Sequence, residues 1–325
     1  MDYANLYVDF SKKSCVDFSI KERYSEMERM GKHTSVLNRP QRKTVKITPY
    51  LLLLPAFTLF TLFTFWPFFK TIILSFSFTD KRGNFVEWVG FSNYIRVVTG
   101  SLFGKVMSNT FMFALMIGIG TLVTAMFLSL VSASREKGSR VYEVMFSLPM
   151  AVASAPASSI FIFMMRKENG VLNKLLGTDI AWLQDPSWAL LAVAIVTVWL
   201  GIGASYIFLL VGFRNVPEEL LESATLDGAG PLRKTFNILI PLASPQIFFV
   251  VFLNISNSFK AFTQIKLLTE GGPNNATNTL IYSMYKNAIM NNRYETACVQ
   301  AILLFLVIFI VTRIQNAFES RTVFY

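Results

Sequence analysis

Histidine and cysteine are nearly missing from this chain, which has one His and two Cys in 325 residues. His33 lies among basic and polar residues ahead of the first apolar run, so the apolar segments hold no imidazole to act as catalytic base or zinc ligand. Cys15 falls in the polar first 47 residues and Cys298 in the last apolar run. By themselves they form neither a disulfide framework nor a thiolate metal site, and they read as free thiols. Charge is scarce as well: Asp, Glu, Lys and Arg make up 15% of the chain, against about 25% in soluble domains. The phosphate-cradling run of Gly, any four residues, then Gly-Lys-Ser/Thr is absent, so the chain cannot itself be the ATPase of an ATP-driven machine. Heptads and low-complexity tracts are absent too.

What the chain has is apolar length. Hydrophobic residues make up 53%, and a bilayer core takes about 20 helical residues to cross. Residues 47–69, 106–134, 144–165, 186–213, 235–259 and 296–312 are free of charge, the fifth stretch being properly entered only after Pro245. They predict an all-α integral membrane fold of six transmembrane helices. The first run begins too late and is too long for a cleaved signal peptide. Lys70, just after it, reads as a snorkelling side chain at the helix end.

Polar connections set the orientation. With the N-terminus in the cytoplasm, 18 Lys and Arg lie inside and ten outside, with Lys70 and Lys260 uncounted. The positive-inside rule then favours both termini cytoplasmic, chiefly through the tail and the short loop of Arg135, Lys137 and Arg140. The net charge of +10 is thereby explained by a membrane surface rather than by nucleic acid. Residues 1–47 predict a basic cytoplasmic tail, disordered or lying on the membrane, and residues 48–325 one membrane domain.

The connection between the fourth and fifth stretches, residues 214–244, is the informative one. Pro217 suits a first helical turn, and Glu218 and Glu219 complement the positive end of the helix dipole. The run Asp227-Gly228-Ala229-Gly230-Pro231 signals a turn, and Pro231 starts a second short helix that ends before Pro241. Two short helices joined by a tight elbow are therefore expected on the cytoplasmic face.

On the fifth stretch Gln246, Asn254, Asn257, Ser258, Ala261 and Gln264 share about a third of the circumference of a helix turning about 100° per residue. Polar groups in lipid need partners, so this face should line the bundle interior or a watery path for solute. Lys260, at the edge of the stripe, either meets an anionic solute or snorkels outward. Trp199, Tyr206 and Gln300 are weaker lining candidates that read equally well as packing residues.

The loop also carries a resemblance. Glu222-Ser223-Ala224, three residues, Gly228, nine residues and Ile238-Leu239-Ile240-Pro241 resemble the signature loop of permease subunits of binding-protein-dependent ABC importers. Ser223 and Ile240 are conservative departures from its Ala and Leu. Leu148-Pro149, Gly170-Val171-Leu172-Asn173, Asp185-Pro186-Ser187-Trp188-Ala189 and Thr269-Glu270-Gly271-Gly272-Pro273 resemble the carbohydrate-uptake branch, most of all glycerol-3-phosphate and oligosaccharide importers. The likeness covers roughly residues 48–325. It implies that the loop is a coupling helix seated in a groove of a cytoplasmic ATPase, with Glu222, Ser223, Ala224, Asp227, Gly228, Ala229, Ile238 and Pro241 forming it. The candidates for the solute path, Asn254, Asn257, Ser258, Lys260 and Gln264, rest on the polar face of the fifth stretch and not on the resemblance. Related permeases often carry an acidic residue just after Phe259, where this chain has Lys260 and Ala261.

The implied assembly sits in a bacterial cytoplasmic (inner) membrane. It comprises a homologous second permease, two copies of the ATPase and an extracytoplasmic solute-binding protein, with no cofactor in this chain and ATP bound by the partner. The main rival, an ion-coupled secondary transporter, usually places Asp or Glu within the membrane, and the six charge-free stretches have none. An intramembrane enzyme lacks a clustered acid, base or metal set. A receptor or scaffold is opposed only by the loop.

Overall fold

The computed structural model describes residues 48–133 and 139–322. The tail 1–47 with Cys15 and His33, Arg135 and Lys137, and both termini lie outside the described residues. The chain divides into two compact units, Met1–Thr61 and Leu62–Tyr325. In the first, the described structure is helix α1 (Thr48–Phe60), whose side chains from Leu51 onward are all exposed. An exposed surface of Leu and Phe is what lipid, or another apolar surface, covers.

The second unit begins with α2 (Trp66–Ser75), with Pro67 in its first turn. Lys70 therefore lies inside a helix and not at its end, because the helix runs on past the apolar stretch to Ser75. A short antiparallel hairpin of β1 (Ser77–Thr79) and β2 (Phe85–Trp88) follows, in register Ser77 opposite Trp88. Asp80 closes its turn by accepting from the Arg82 and Asn84 amides at 2.9 and 2.8 Å. These donors, the Asn84 amide first, hold the Asp80 carboxyl below its ordinary pKa. On α3 (Ser92–Val98) Asn93 is buried and donates to the carbonyls of Ser75 and Ser77, which ties the hairpin to the end of α2.

Helices α4 (Phe103–Ala133) and α8 (Pro186–Arg214) form the centre. Without a hydrophobic drive between helices in lipid, close approach depends on small side chains, and the contact is built that way. A Cβ at Gly120 would come within 2.9 Å of Val198, and one at Gly201 within 3.2 Å of Thr121. Around this pair lie α5 (Ser139–Ala151), α6 (Ser154–Met164), α7 (Val171–Leu176), α9 (Glu218–Leu226), α10 (Pro231–Lys234) and α11 (Ile240–Leu242). The chain ends with α12 (Ser244–Ser258), α13 (Thr263–Leu268), α14 (Leu280–Tyr285) and α15 (Tyr294–Thr322). One core, with Phe113, Trp182, Val193 and Ile265, lies towards one end of α4 and α8; another, with Ala125, Tyr206, Phe213 and Val250, lies towards the other. A third, with Val106, Phe259, Leu280 and Leu304, joins α4 to α14 and α15.

Among the described residues four helices are long and apolar enough to cross a membrane: Leu51–Ser75, Phe103–Ala133, Pro186–Arg214 and Tyr294–Glu319. The third expected span is not one continuous helix, and the fifth is continuous only from Ser244, in line with its entry at Pro245. Helices α5 and α6 meet at 100°, and Pro231–Leu242 meets α12 at 72°. Proline explains both breaks. Its ring clashes with the carbonyl four residues earlier and it offers no amide. Pro156 would clash with Val152 and Pro245 with Pro241, and the chain bends at Ala153 and Ala243 respectively. The second short helix of the elbow does not stop before Pro241 as expected. A π-turn over Thr235–Leu239 widens the coil ahead of Pro241, and helical structure continues to Leu242.

Gly203 tests the packing of α8 against α5. A Cβ there would lie 2.8 Å from the Met150 amide nitrogen and 2.9 Å from the Ser147 carbonyl oxygen. Backbone cannot rotate away, so Gly203→Val should destabilise the protein by about 1–3 kcal/mol. Gly104→Ala, which meets nothing within 4 Å, should be neutral. The thermal midpoints of the two purified variants check this; equal midpoints would show that the helices have room to spare.

Candidate functional site

The elbow between α8 and α12 is built from local rules. Pro217 is extended at the N-cap of α9, and Glu218 and Glu219 occupy the first turn, where the helix dipole favours them. Helix α9 buries no residue. At its other end the Ala229 amide bonds the Ala224 carbonyl at 2.9 Å and the Gly228 amide bonds Thr225 at 3.0 Å. This is a Schellman closure, and it needs a left-handed residue at Gly228, whose φ is +78°. The open space around Gly228 would take a Cβ without contact, so backbone conformation alone demands glycine. Lys234 on α10 donates to Thr225 at 3.2 Å and braces the elbow.

Within the elbow the predicted residues divide by exposure. Glu222, Ser223, Asp227 and Gly228 are exposed, while Ala224, Ala229, Ile238 and Pro241 are half-buried. Leu239 and Ile240, between the last two, pack against the core holding Tyr206 and Phe213. One end is thus anchored in the bundle and the other projects outward. The projecting part carries Leu226 at 90% and Leu232 at 73% exposure.

At the root of the elbow, Arg214 donates to the Glu143 carboxylate at 2.7 Å and to the Ser132 carbonyl at 3.0 Å. One guanidinium thus joins the ends of α4, α5 and α8. Sequence reasoning missed this clamp, since Glu143 and Arg214 are isolated charges bordering two separate apolar runs and the third member is a backbone carbonyl.

A cavity of about 270 Å³ lies between α4, α8 and α12. It brings together Asn254, Asn257 and Ser258 of the predicted stripe with Thr121, Thr197 and Ser205, which the sequence did not single out. Lys260 and Gln264 are not part of it. Helix α12 ends at Ser258, and Lys260 is exposed on the turn that follows while Gln264 is buried on α13. The stripe therefore breaks before Ala261, because a helical repeat holds only while the helix lasts. Ser205 donates to the Asn254 side-chain oxygen at 3.1 Å, and Ser258 donates to the Ile255 carbonyl at 2.7 Å. The Thr121 hydroxyl and the Asn254 amide nitrogen are buried without partners.

The weaker lining candidates Trp199, Tyr206 and Gln300 all lie outside this cavity. Gln300 donates to Ser283 and accepts from Asn287, Tyr206 is fully buried against Phe146, and Trp199 packs edge-on to Phe161. On α12, Gln246 fills the space opposite Gly212, where a Cβ would come within 2.7 Å of it. Among the described residues no group of His, Cys, Asp and Glu is placed to hold a metal.

Residues 116–324 match the family described as the inner membrane component of binding-protein-dependent transport systems. The chain belongs to that family. It is similar to the sn-glycerol-3-phosphate transport system permease protein UgpA of Yersinia enterocolitica, with 34% identity over 282 residues, 85% of this chain and 95% of that protein. UgpA of Escherichia coli (strain UTI89 / UPEC) is 29% identical over 281 residues, again 85% of this chain and 95% of that one. A chain of the crystal structure of the bacterial alginate ABC transporter, in complex with alginate pentasaccharide-bound periplasmic protein, shares the fold. Its TM-score is 0.75 at 19% identity, over 86% of this chain and 98% of that chain. Family membership makes this chain an inner-membrane permease component of an ABC importer, and the curated relatives are permeases, not enzymes. It also sets aside the ion-coupled secondary transporter.

Proposed function

We propose that the chain is the transmembrane subunit of an ATP-driven importer that takes up a sugar-type solute, an oligosaccharide or glycerol 3-phosphate, handed over by an extracytoplasmic binding protein. Each bent helix pair counts as one crossing, which makes six, with Met1, the 214–244 loop and Tyr325 in the cytoplasm. A homologous permease completes the path, and two ATPase copies, which bind the ATP, dock on the elbow through Glu222, Ser223, Ala224, Asp227, Gly228 and Ala229. Ile238 and Pro241 carry their movement into the bundle. Asn254, Asn257 and Ser258 line the solute path; Lys260 and Gln264 lie beyond the helix that forms it, and they are assigned to its outer end and to packing.

The observation that carries this reading is the division within the elbow: an exposed, left-handed-capped helix at one end and core-packed Leu239 and Ile240 at the other. Such a part can receive force outside the bundle and deliver it inside. The charge count, 18 basic residues against ten, supports the orientation.

Topology provides the test. In sealed cells a membrane-impermeant maleimide should label Lys174→Cys and spare Ala229→Cys, and should label the latter once the membrane is opened. Labelling of Ala229→Cys from outside would overturn the orientation. In the same cells Asn257→Leu should impair uptake while basal ATP hydrolysis and complex assembly stay intact; normal uptake would remove Asn257 from the path.

A further inference from the structure

The cavity between α4, α8 and α12 carries more information than its position. No lining residue is Asp, Glu, Lys, Arg or His. Its walls offer hydroxyls and amides from Thr121, Asn254 and Asn257, and the ring of Phe208, which is 43% exposed. Several lining groups are already committed: Thr197 donates to the Val193 carbonyl, Ser258 to Ile255 and Ser205 to Asn254. Two buried polar atoms remain without a partner, the Thr121 hydroxyl and the Asn254 amide nitrogen. Buried polar groups are normally paired, so these two mark where a bound molecule completes the site.

We propose that the solute recognised in this cavity is uncharged and rich in hydroxyls, a neutral mono- or oligosaccharide, and not a phosphorylated or uronate sugar. The proposal rests on the importer reading above. An amide N–H donor and a hydroxyl together match a solute hydroxyl, which both accepts and donates. The Phe208 ring supplies an apolar surface for the C–H face of a sugar ring. A phosphate or carboxylate entering the same space would leave water without gaining a cation from this chain, and burial of an unpaired charge is strongly disfavoured. Sites built for such anions use Arg or Lys. Here Lys260 is exposed beyond the end of α12, and Lys266 donates to the Tyr285 hydroxyl. The names of the similar proteins carry anions, glycerol 3-phosphate and the acidic polysaccharide alginate, so the proposal parts from them in a measurable way.

The test uses cells with the complete importer, with or without this chain, and three labelled probes: a mixture of neutral mono- to trisaccharides, sn-glycerol 3-phosphate, and oligomannuronate. Chain-dependent accumulation of the neutral mixture alone is expected. Thr121→Val and Asn254→Leu should cut it at least about tenfold, with Thr121→Ser close to the unsubstituted chain and the ATPase copurifying equally with all variants. Chain-dependent accumulation of either anion would overturn the neutral class and leave the importer reading standing. Neutral uptake untouched by Thr121→Val and Asn254→Leu would show that this cavity is not the recognition site. If no probe accumulates in a chain-dependent way, the neutral-saccharide class is overturned, and equal copurification of the ATPase keeps the importer reading separate from that failure.

Discussion

Gly228→Trp and Glu222→Lys are expected to abolish uptake while the crossing helices insert and the protein accumulates normally. Gly228 holds a φ of +78° at the end of α9, in space where a Cβ meets nothing within 4 Å. A clash inside this chain is therefore not the cause. A side chain there costs roughly 1–2 kcal/mol of backbone strain, and an indole adds bulk on the exposed side of the elbow, where the ATPase is proposed to dock. Gly228→Asn separates the two effects, since Asn tolerates the left-handed conformation; it should keep most uptake. Glu222 is exposed in this chain, so reversing its charge should leave the fold intact. An exposed ion pair contributes about 0–1 kcal/mol, whereas breaking one that docking has buried costs several. The readout is uptake and ATPase copurification from the same membranes, and unsubstituted values of both in the two variants would remove the elbow from coupling.

Arg214→Ala should lower both stability and transport. The guanidinium ties Glu143 at 2.7 Å and the Ser132 carbonyl at 3.0 Å, at the point where α8 enters the elbow. Both charged side chains are partly shielded, with 24% and 30% of their surfaces exposed. Losing hydrogen bonds to a charged group under those conditions costs about 1–3 kcal/mol. Arg214→Lys keeps the charge but ends in a shorter, more strongly hydrated ammonium in place of the guanidinium nitrogen that serves both acceptors, so an intermediate effect is expected. Glu143→Gln should be milder than Arg214→Ala, because the Ser132 contact survives. A thermal midpoint of Arg214→Ala equal to that of the unsubstituted protein would show that the clamp holds nothing together.

How much of this could be read beforehand depended on how local the determining contacts are. The first helix of the elbow was legible to within a residue, since Pro217, the Glu218-Glu219 pair and the Gly228 turn act within a few positions of one another. The break at Ala153 was missed because apolar length was counted without following the clash set by Pro156, whereas Pro245 already marked where the fifth span is entered; hydropathy records length and not direction. The polar stripe shares one helix face as far as Ser258 and is interrupted there, where α12 ends. Thr121 and Ser205 were silent for a different reason. A Ser or Thr in an apolar helix usually bonds its own preceding turn, as Thr124 does to Gly120, and sequence does not distinguish it from one left facing a cavity. Arg214 and Glu143 meet across 71 residues, and nothing local to either one marks the pair.

The central claim, that a partner ATPase drives this permease through the elbow, is tested most directly by a photoreactive residue in place of Leu226, the apolar side chain of the elbow with 90% of its surface exposed. On illumination of membranes holding the complete importer, a covalent adduct between this chain and the ATPase is expected. The same residue in place of Trp88, on the hairpin after α2, should give none. An assembled, transporting complex that forms no ATPase adduct at position 226, or forms it at position 88, would contradict the account.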